Sequence, residues 1–233
     1  LGKEEQSMSL SEKLMEELVS RTAFTIPLFG GIPVPESVVV TWGIMAFVIL
    51  LCLIFVRNLK LVPTRKQACI ETAVGGVYRF FHGILGDEGK GYIPYLATVG
   101  IYLGLSNLSG LVGLTPPTKD INVTAGLAVM SIVLIEYSGI RKKGFKGFIK
   151  SFAEPVPFIA PLNVLEVFIR PLSLCMRLFG NILGGFVIME LLKIVAPILV
   201  PIPFSFYFDV FDGLIQMYVF VFLTAIFMKE LMD

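Results

Sequence analysis

Residues 37–56 form an unbroken run with no charged side chain, and nothing else limits the fold of this chain as strongly. About 20 consecutive apolar residues cross the hydrocarbon core as a helix, because only there are all backbone N–H and C=O groups satisfied without water. Four further stretches qualify, at about 92–114, 121–140, 161–197 and 203–228. The predicted fold class is an all-α integral membrane protein of five transmembrane helices, the last two forming a long, tilted helical hairpin. With 55% hydrophobic and only 16% charged residues, and a mean hydropathy of +0.82, the chain is too apolar for a water-soluble domain. The net charge of +1 gives no footprint for nucleic acid, and none is expected as a partner.

Between the first two spans, residues 65–85 place Ile70, Val74, Val77, Phe80, Phe81 and Ile84 at helical spacing among charged neighbours. That pattern predicts one interfacial amphipathic helix. No internal repeat is present, so an N-terminal segment 1–36 is expected to precede a single membrane domain, 37–233. Residues 1–21 carry acids and no apolar core of signal-peptide form, so no cleavable targeting segment is expected. Gly100 with Gly104, and Gly180 with Gly184, are small-xxx-small pairs expected to mark close helix contacts.

Lys and Arg near span ends stay on the cytoplasmic side. Arg57, Lys60, Arg65 and Lys66 follow the first span, and Arg141, Lys142, Lys143, Lys146 and Lys150 follow the third. Five spans then put the N-terminus outside and the C-terminus in the cytoplasm, with segment 1–36 extracytoplasmic. Cys52, Cys69 and Cys175 are far apart and read as small hydrophobes, and His82 is the only histidine. No metal site is expected.

The charges inside the apolar stretches carry the functional signal, since each costs about 2.5–3.5 kcal/mol at the bilayer centre on insertion scales. On the fourth stretch Glu166, Arg170, Ser173, Arg177, Asn181 and Gly184 recur every three or four residues, along one helix face. On the fifth, Asp209, Asp212 and Gln216 do the same. Glu166 with Arg170, and Glu190 with Lys193, have the spacing of local ion pairs. Arg177 has no acidic residue near enough in sequence for such a pair, which favours a partner elsewhere.

The string Arg170-Pro-Leu-Ser-Leu-Cys-Met-Arg177-Leu-Phe-Gly-Asn181 closely resembles the signature of subunit a of rotary F-type ATP synthases, in the membrane (Fo) sector. Pro116-Pro-Thr-Lys-Asp120-Ile-Asn122-Val-Thr and Leu-Ile-Gln216-Met-Tyr are similar to two further family motifs. The resemblance runs over about residues 92–228. It implies a stator beside a rotating ring of c subunits, held by b-type peripheral stalk subunits in an energy-transducing membrane, most simply a bacterial plasma membrane. Two offset aqueous half-channels would feed H⁺ or Na⁺ to the ring, with no cofactor, no catalytic residue and no nucleotide site in this chain. Arg177 would separate the channels, assisted by Gln216 and Asn181. The resemblance implies Asp120, Asn122, Asp209, Asp212 and Glu190 for the outer half-channel, and Glu166, Glu136 and Ser138 for the cytoplasmic one. Many members carry an acid where this chain has Phe186, and some have histidine where it has Asp209. A stand-alone channel or secondary transporter is the competing class, and a passive scaffold a third. A channel would need both walls of its pore, whereas the intramembrane charge here is concentrated on two helices.

Overall fold

In the computed structural model, which describes residues 22–26, 32–57, 60, 63–152, 158, 160–195 and 201–232, five helices are long and apolar enough to cross a membrane: Glu36–Phe55, Lys90–Val112, Ile121–Ser151, Ala160–Met189 and Pro203–Met232. The expectation about residues 1–21 lies outside the described residues. A short antiparallel hairpin, β1 (Thr22–Ile26) and β2 (Ile32–Pro35), leads into the first helix and was not foreseen. Its alternation of β-branched and aromatic residues is too short to stand out in a chain this apolar.

Helix α1 (Glu36–Phe55) is pinned at one end. Ser37 donates to Asp120 at 2.7 Å, and Thr41 shares a 3.0 Å hydrogen bond with Tyr102. Helix α2 (Arg65–Leu85) is the predicted amphipathic helix. It starts where the Thr64 hydroxyl accepts from the Gln67 N–H, and stops at Gly86, whose φ of 67° suits a residue without Cβ. Phe81 and Leu85 enter the core. Phe80 packs its ring near Tyr218 and Phe222, while Val74 and Val77 stay exposed.

Helix α3 (Ile93–Leu108) has Pro94 in its first turn, where a missing N–H costs nothing. It ends in a 3-10 turn, Ser109–Val112, closed by Gly113 at φ 79°. Helix α4 (Ile121–Ser151) departs from expectation. The sequence predicted a span ending near 140 and then a basic loop, but the helix continues through Arg141–Lys143. It breaks at Gly144 (φ 70°, ψ 159°) and resumes to Ser151. Lys and Arg are good helix formers and only glycine takes that φ without strain. The resumed piece turns Phe148 back so closely that a Cβ on Gly139 would lie 3.2 Å from its ring.

Helix α5 (Ala160–Val195) has 36 residues, about 54 Å at 1.5 Å each, more than a 30 Å core needs and long enough to cross it at a tilt. The last helix begins as α6 (Pro201–Ser205), passes through a π-helical segment (Phe206–Asp212) and continues as α7 (Gly213–Met232). Helix α4 packs along both α5 and α7, and α3 packs on the other side of α7. Leu96, Leu103, Ile135, Leu174, Leu178 and Met228 are fully buried at this junction. In lipid this burial contributes through close packing, since the tails outside are as apolar as the core. Gly100 and Gly104 do mark a close approach: a Cβ at either would sit 3.6–3.7 Å from Val221 or Met217. Gly180 and Gly184 do not. A Cβ on either meets nothing within 4 Å, so no described residue packs against those two positions of α5.

Candidate functional site

Arg177 lies two turns beyond Arg170 on α5, and the two cations are treated oppositely. Arg170 has a side chain only 11% exposed; it donates at 2.8 Å both to Glu166 on its own helix and to Glu230 near the end of α7. Its guanidinium also stands 5.0 Å from the centre of the Phe227 ring. Arg177 is exposed and has no hydrogen bond or ion pair to any described residue. Helical spacing puts Gly180, Asn181 and Gly184 on the same face, and Arg177, Gly180 and Asn181 are all exposed. The longest helix therefore presents a bare guanidinium in a stripe with almost no side-chain bulk.

Beside this stripe a cavity of about 340 Å³ opens between the 109–120 connection, α5 and the π-helical segment. Asn181, Ser205, Asp209, Asp212, Asn107 and Lys119 supply its polar lining. Asp209 accepts from the Ser205 hydroxyl at 2.7 Å. It also lies so near the 3-10 turn that a Cβ on Gly110 would come within 2.9 Å of its Oδ1.

The π segment is held at its C-terminal end by a residue from another helix. Asn107, 4% exposed, donates from Nδ2 to the Gly213 carbonyl at 2.8 Å and accepts from the Thr118 hydroxyl at 2.9 Å. The Gly213 N–H reaches back five residues to Phe208, the wide turn that recurs at functional sites in helices. Gly213 cannot be larger, since its Cβ would approach that of Asn107 to 2.9 Å. The sequence placed Asp209, Asp212 and Gln216 on one α-helical face. The π turns change that register: Asp209 and Asp212 line the cavity, whereas Gln216 is buried at 6%. No hydrogen bond joins Gln216 to Arg177 among the described residues.

Asp120 and Asn122 stand apart from the cavity lining. Asp120 caps α4, accepting from the backbone N–H of Asn122 at 2.9 Å and its side chain at 3.0 Å, and holds Ser37. The side chains of Glu190 and Lys193 lie outside the described part of the structure. At the opposite end of the bundle, Glu166 is engaged by Arg170, as its spacing allowed. Glu136 has a buried Oε1 without a hydrogen-bond partner and faces an apolar cleft of about 490 Å³ between α4 and α5. Ser138 is buried and donates to the Ile135 carbonyl at 2.6 Å.

Sequence reasoning missed Glu230, Asn107 and Ser205. Glu230 falls just past the predicted end of the last span, at about residue 228. Asn107 is a lone amide in an apolar span, which is itself a signal. No group of three or more potential metal ligands occurs among the described residues.

The family model described as ATP synthase A chain matches residues 38–229. The chain is 36% identical over 215 residues to "ATP synthase subunit a, sodium ion specific" of Propionigenium modestum, covering 85% of this chain and 74% of that one. It is 38% identical over 202 residues to ATP synthase subunit a of Moorella thermoacetica, covering 86% and 92%. With the corresponding protein of Geobacter sulfurreducens it shares 35% over 199 residues, covering 83% and 86%.

Proposed function

The chain belongs to the ATP synthase A chain family, and on that premise we propose that it is the ion-conducting stator of the membrane sector, with Arg177 dividing two half-channels. Its working partner is the c-subunit ring. The stripe Arg177–Gly180–Asn181–Gly184 is the face that meets it, because glycines let a neighbouring helix approach closely and no described residue packs against Gly180 or Gly184.

The cavity holding Asp209 and Asp212 is the outer half-channel. Asn181 lines its inner reach, Asp120 and Asn122 brace its rim, and Glu190 extends the acidic path. Glu166, Glu136 and Ser138 mark the cytoplasmic half-channel, to which Glu230 is added by its contact with Arg170. The N-terminus, with segment 1–36, lies outside and the C-terminus in the cytoplasm, a reading supported by the basic residues that follow the first and third spans. The single membrane domain, 37–233, sits in a bacterial plasma membrane, tied to b-type stalk subunits.

Charge drives the cycle. A guanidinium keeps its proton in any protein setting. As a ring carboxylate with its bound H⁺ or Na⁺ nears Arg177, attraction between the two fixed charges favours release of the ion into the exit channel. At 4 Å and an effective dielectric of 20 that attraction is about 4 kcal/mol, roughly a thousandfold in ion occupancy. Past the arginine the carboxylate re-enters the other channel and binds again. The same cation repels any ion moving directly between channels, so flow requires rotation. Gln216, which makes no hydrogen bond to Arg177 among the described residues, would orient the guanidinium only in the assembled complex.

The observation that carries the proposal is the exposed Arg177 without a counter-ion in its own described chain. Arg177→Ala in the assembled complex, reconstituted in vesicles, should abolish ion-driven ATP synthesis. Synthesis that remains coupled would end the proposal. A purified chain that conducts ions alone would point to a channel instead.

A further inference from the structure

Two cations stand on one face of α5, and only one of them is bare. Seven residues separate Arg170 from Arg177, nearly two full helical turns and about 10 Å along the axis, so both belong to the stripe that also carries Glu166 and Asn181. Arg177 is exposed and without a hydrogen bond or ion pair to any described residue. In Arg170 a single nitrogen, Nη2, donates at 2.8 Å to Glu166 on its own helix and at 2.8 Å to Glu230 on α7. Glu136 on α4 acts on the same guanidinium through space, without a hydrogen bond to it.

The fold has a use for Arg170. Its bond to Glu230 is the one ion pair that ties α5 to another helix among the described residues, and the Phe227 ring supports it. The tie falls beside Pro171, which removes one backbone hydrogen bond from α5. One carboxylate would serve such a tie and leave it neutral. Two are in contact, so the trio of Glu166, Arg170 and Glu230 carries a net charge of −1 with both acids ionised.

That second acid has a consequence for ion exit. A cation discharged at Arg177 into a cytoplasmic half-channel passes the Arg170 level on its way out. An unneutralised guanidinium about 10 Å from Arg177, at an effective dielectric of about 20, would lower the occupancy of that exit roughly tenfold. Two carboxylates in contact with it cancel this repulsion and leave a weak attraction. We propose that Glu166 and Glu230 mask Arg170, so that Arg177 is the only cation on this stripe that the ring and the departing ion meet. The inference rests on the assignment of Arg177 and of the cytoplasmic half-channel, and it gives the two acids a task distinct from carrying the ion.

Removing the mask, and then the cation beneath it, tests this in the assembled complex reconstituted in vesicles. Glu166→Gln with Glu230→Gln bares Arg170, and ion-driven ATP synthesis should fall roughly tenfold. Adding Arg170→Gln should recover most of that loss, to within about threefold of the parent, although it also removes the tie. Acids that carry the ion themselves, or a tie needed only by the fold, predict a triple variant no better than the double. If a multiple variant does not assemble, Glu230 alone decides, since its side chain is 54% exposed and tolerates exchange. Synthesis should then fall in the order Glu230→Asp, Glu230→Gln, Glu230→Lys, following the charge of the trio. A triple variant as impaired as the double, a double variant that couples normally, or equal rates for Glu230→Gln and Glu230→Lys would each overturn the mask. Arg177→Ala keeps the two layers apart: if it stays coupled the stator assignment fails, and if it is inactive while the rescue fails, only the mask is lost.

Discussion

Asn107→Leu tests the origin of the site's geometry. Leu keeps the branched four-heavy-atom shape of Asn, with bulkier methyls, and suits the apolar helix. What it removes is the donor to the Gly213 carbonyl and the acceptor for Thr118, at 2.8 and 2.9 Å. Hydrogen bonds between membrane helices are worth about 1 kcal/mol each. The Gly213 carbonyl can recover a partner inside its own helix, but the Thr118 hydroxyl is fully buried, and orphaning it adds about 1–3 kcal/mol. The expected loss is about 2–4 kcal/mol, a fall of roughly 5–15 °C in the unfolding temperature of the detergent-solubilised protein. Returning the π segment to α-helix also turns Asp209 by about one residue, ~100°, away from the cavity. Ion-driven synthesis in vesicles should therefore fall further than stability accounts for. Adding Thr118→Val to Asn107→Leu should cost less than the sum of the two, by about 1 kcal/mol. Strict additivity, or an unfolding temperature within a degree of the parent, would refute the clamp.

The glycine face gives a second test: Gly180→Leu with Gly184→Leu should leave the isolated chain as stable as the parent, since both Cβ positions are open, yet block its co-purification with the c-ring. Arg170→Gln should destabilise by about 1–2 kcal/mol, because it abandons two carboxylates and the Phe227 ring. Glu230→Gln should cost less than about 1 kcal/mol, as that carboxylate is 54% exposed, and thermal unfolding separates the two. In the turn after α2, hydrogen bonds from Lys90 and His82 hold Asp87 below the ordinary carboxylate range. A lowered folded pKa contributes stability above the unfolded value, near 3.9, and loses it as pH falls through the folded one. Asp87→Asn should therefore change melting measurably at neutrality, and progressively less as pH falls below the unfolded value.

The stretches that cross the membrane were legible because a span needs only length and apolarity, both one-dimensional properties. The amphipathic helix 65–85 was equally plain, since its side chains keep a helical period whatever covers them. Arg177 announced itself by cost, because a cation deep in an apolar run with no acid one turn away demands a partner. Continuation of α4 past Arg141 was not legible, because basic residues serve a helix as well as a loop, and only the fold of Phe148 onto Gly139 shows where Gly144 breaks it. The register of Gln216 against Asp209 and Asp212 was misread for a related reason: the π turns that precede Gln216 are written in no periodicity within 203–228. Linear order determined which residues enter the bilayer and which charge is costly there. Tertiary structure alone decided that Arg170 finds Glu230 while Arg177 finds nothing in its described chain, because counter-ions are assigned by distance in space.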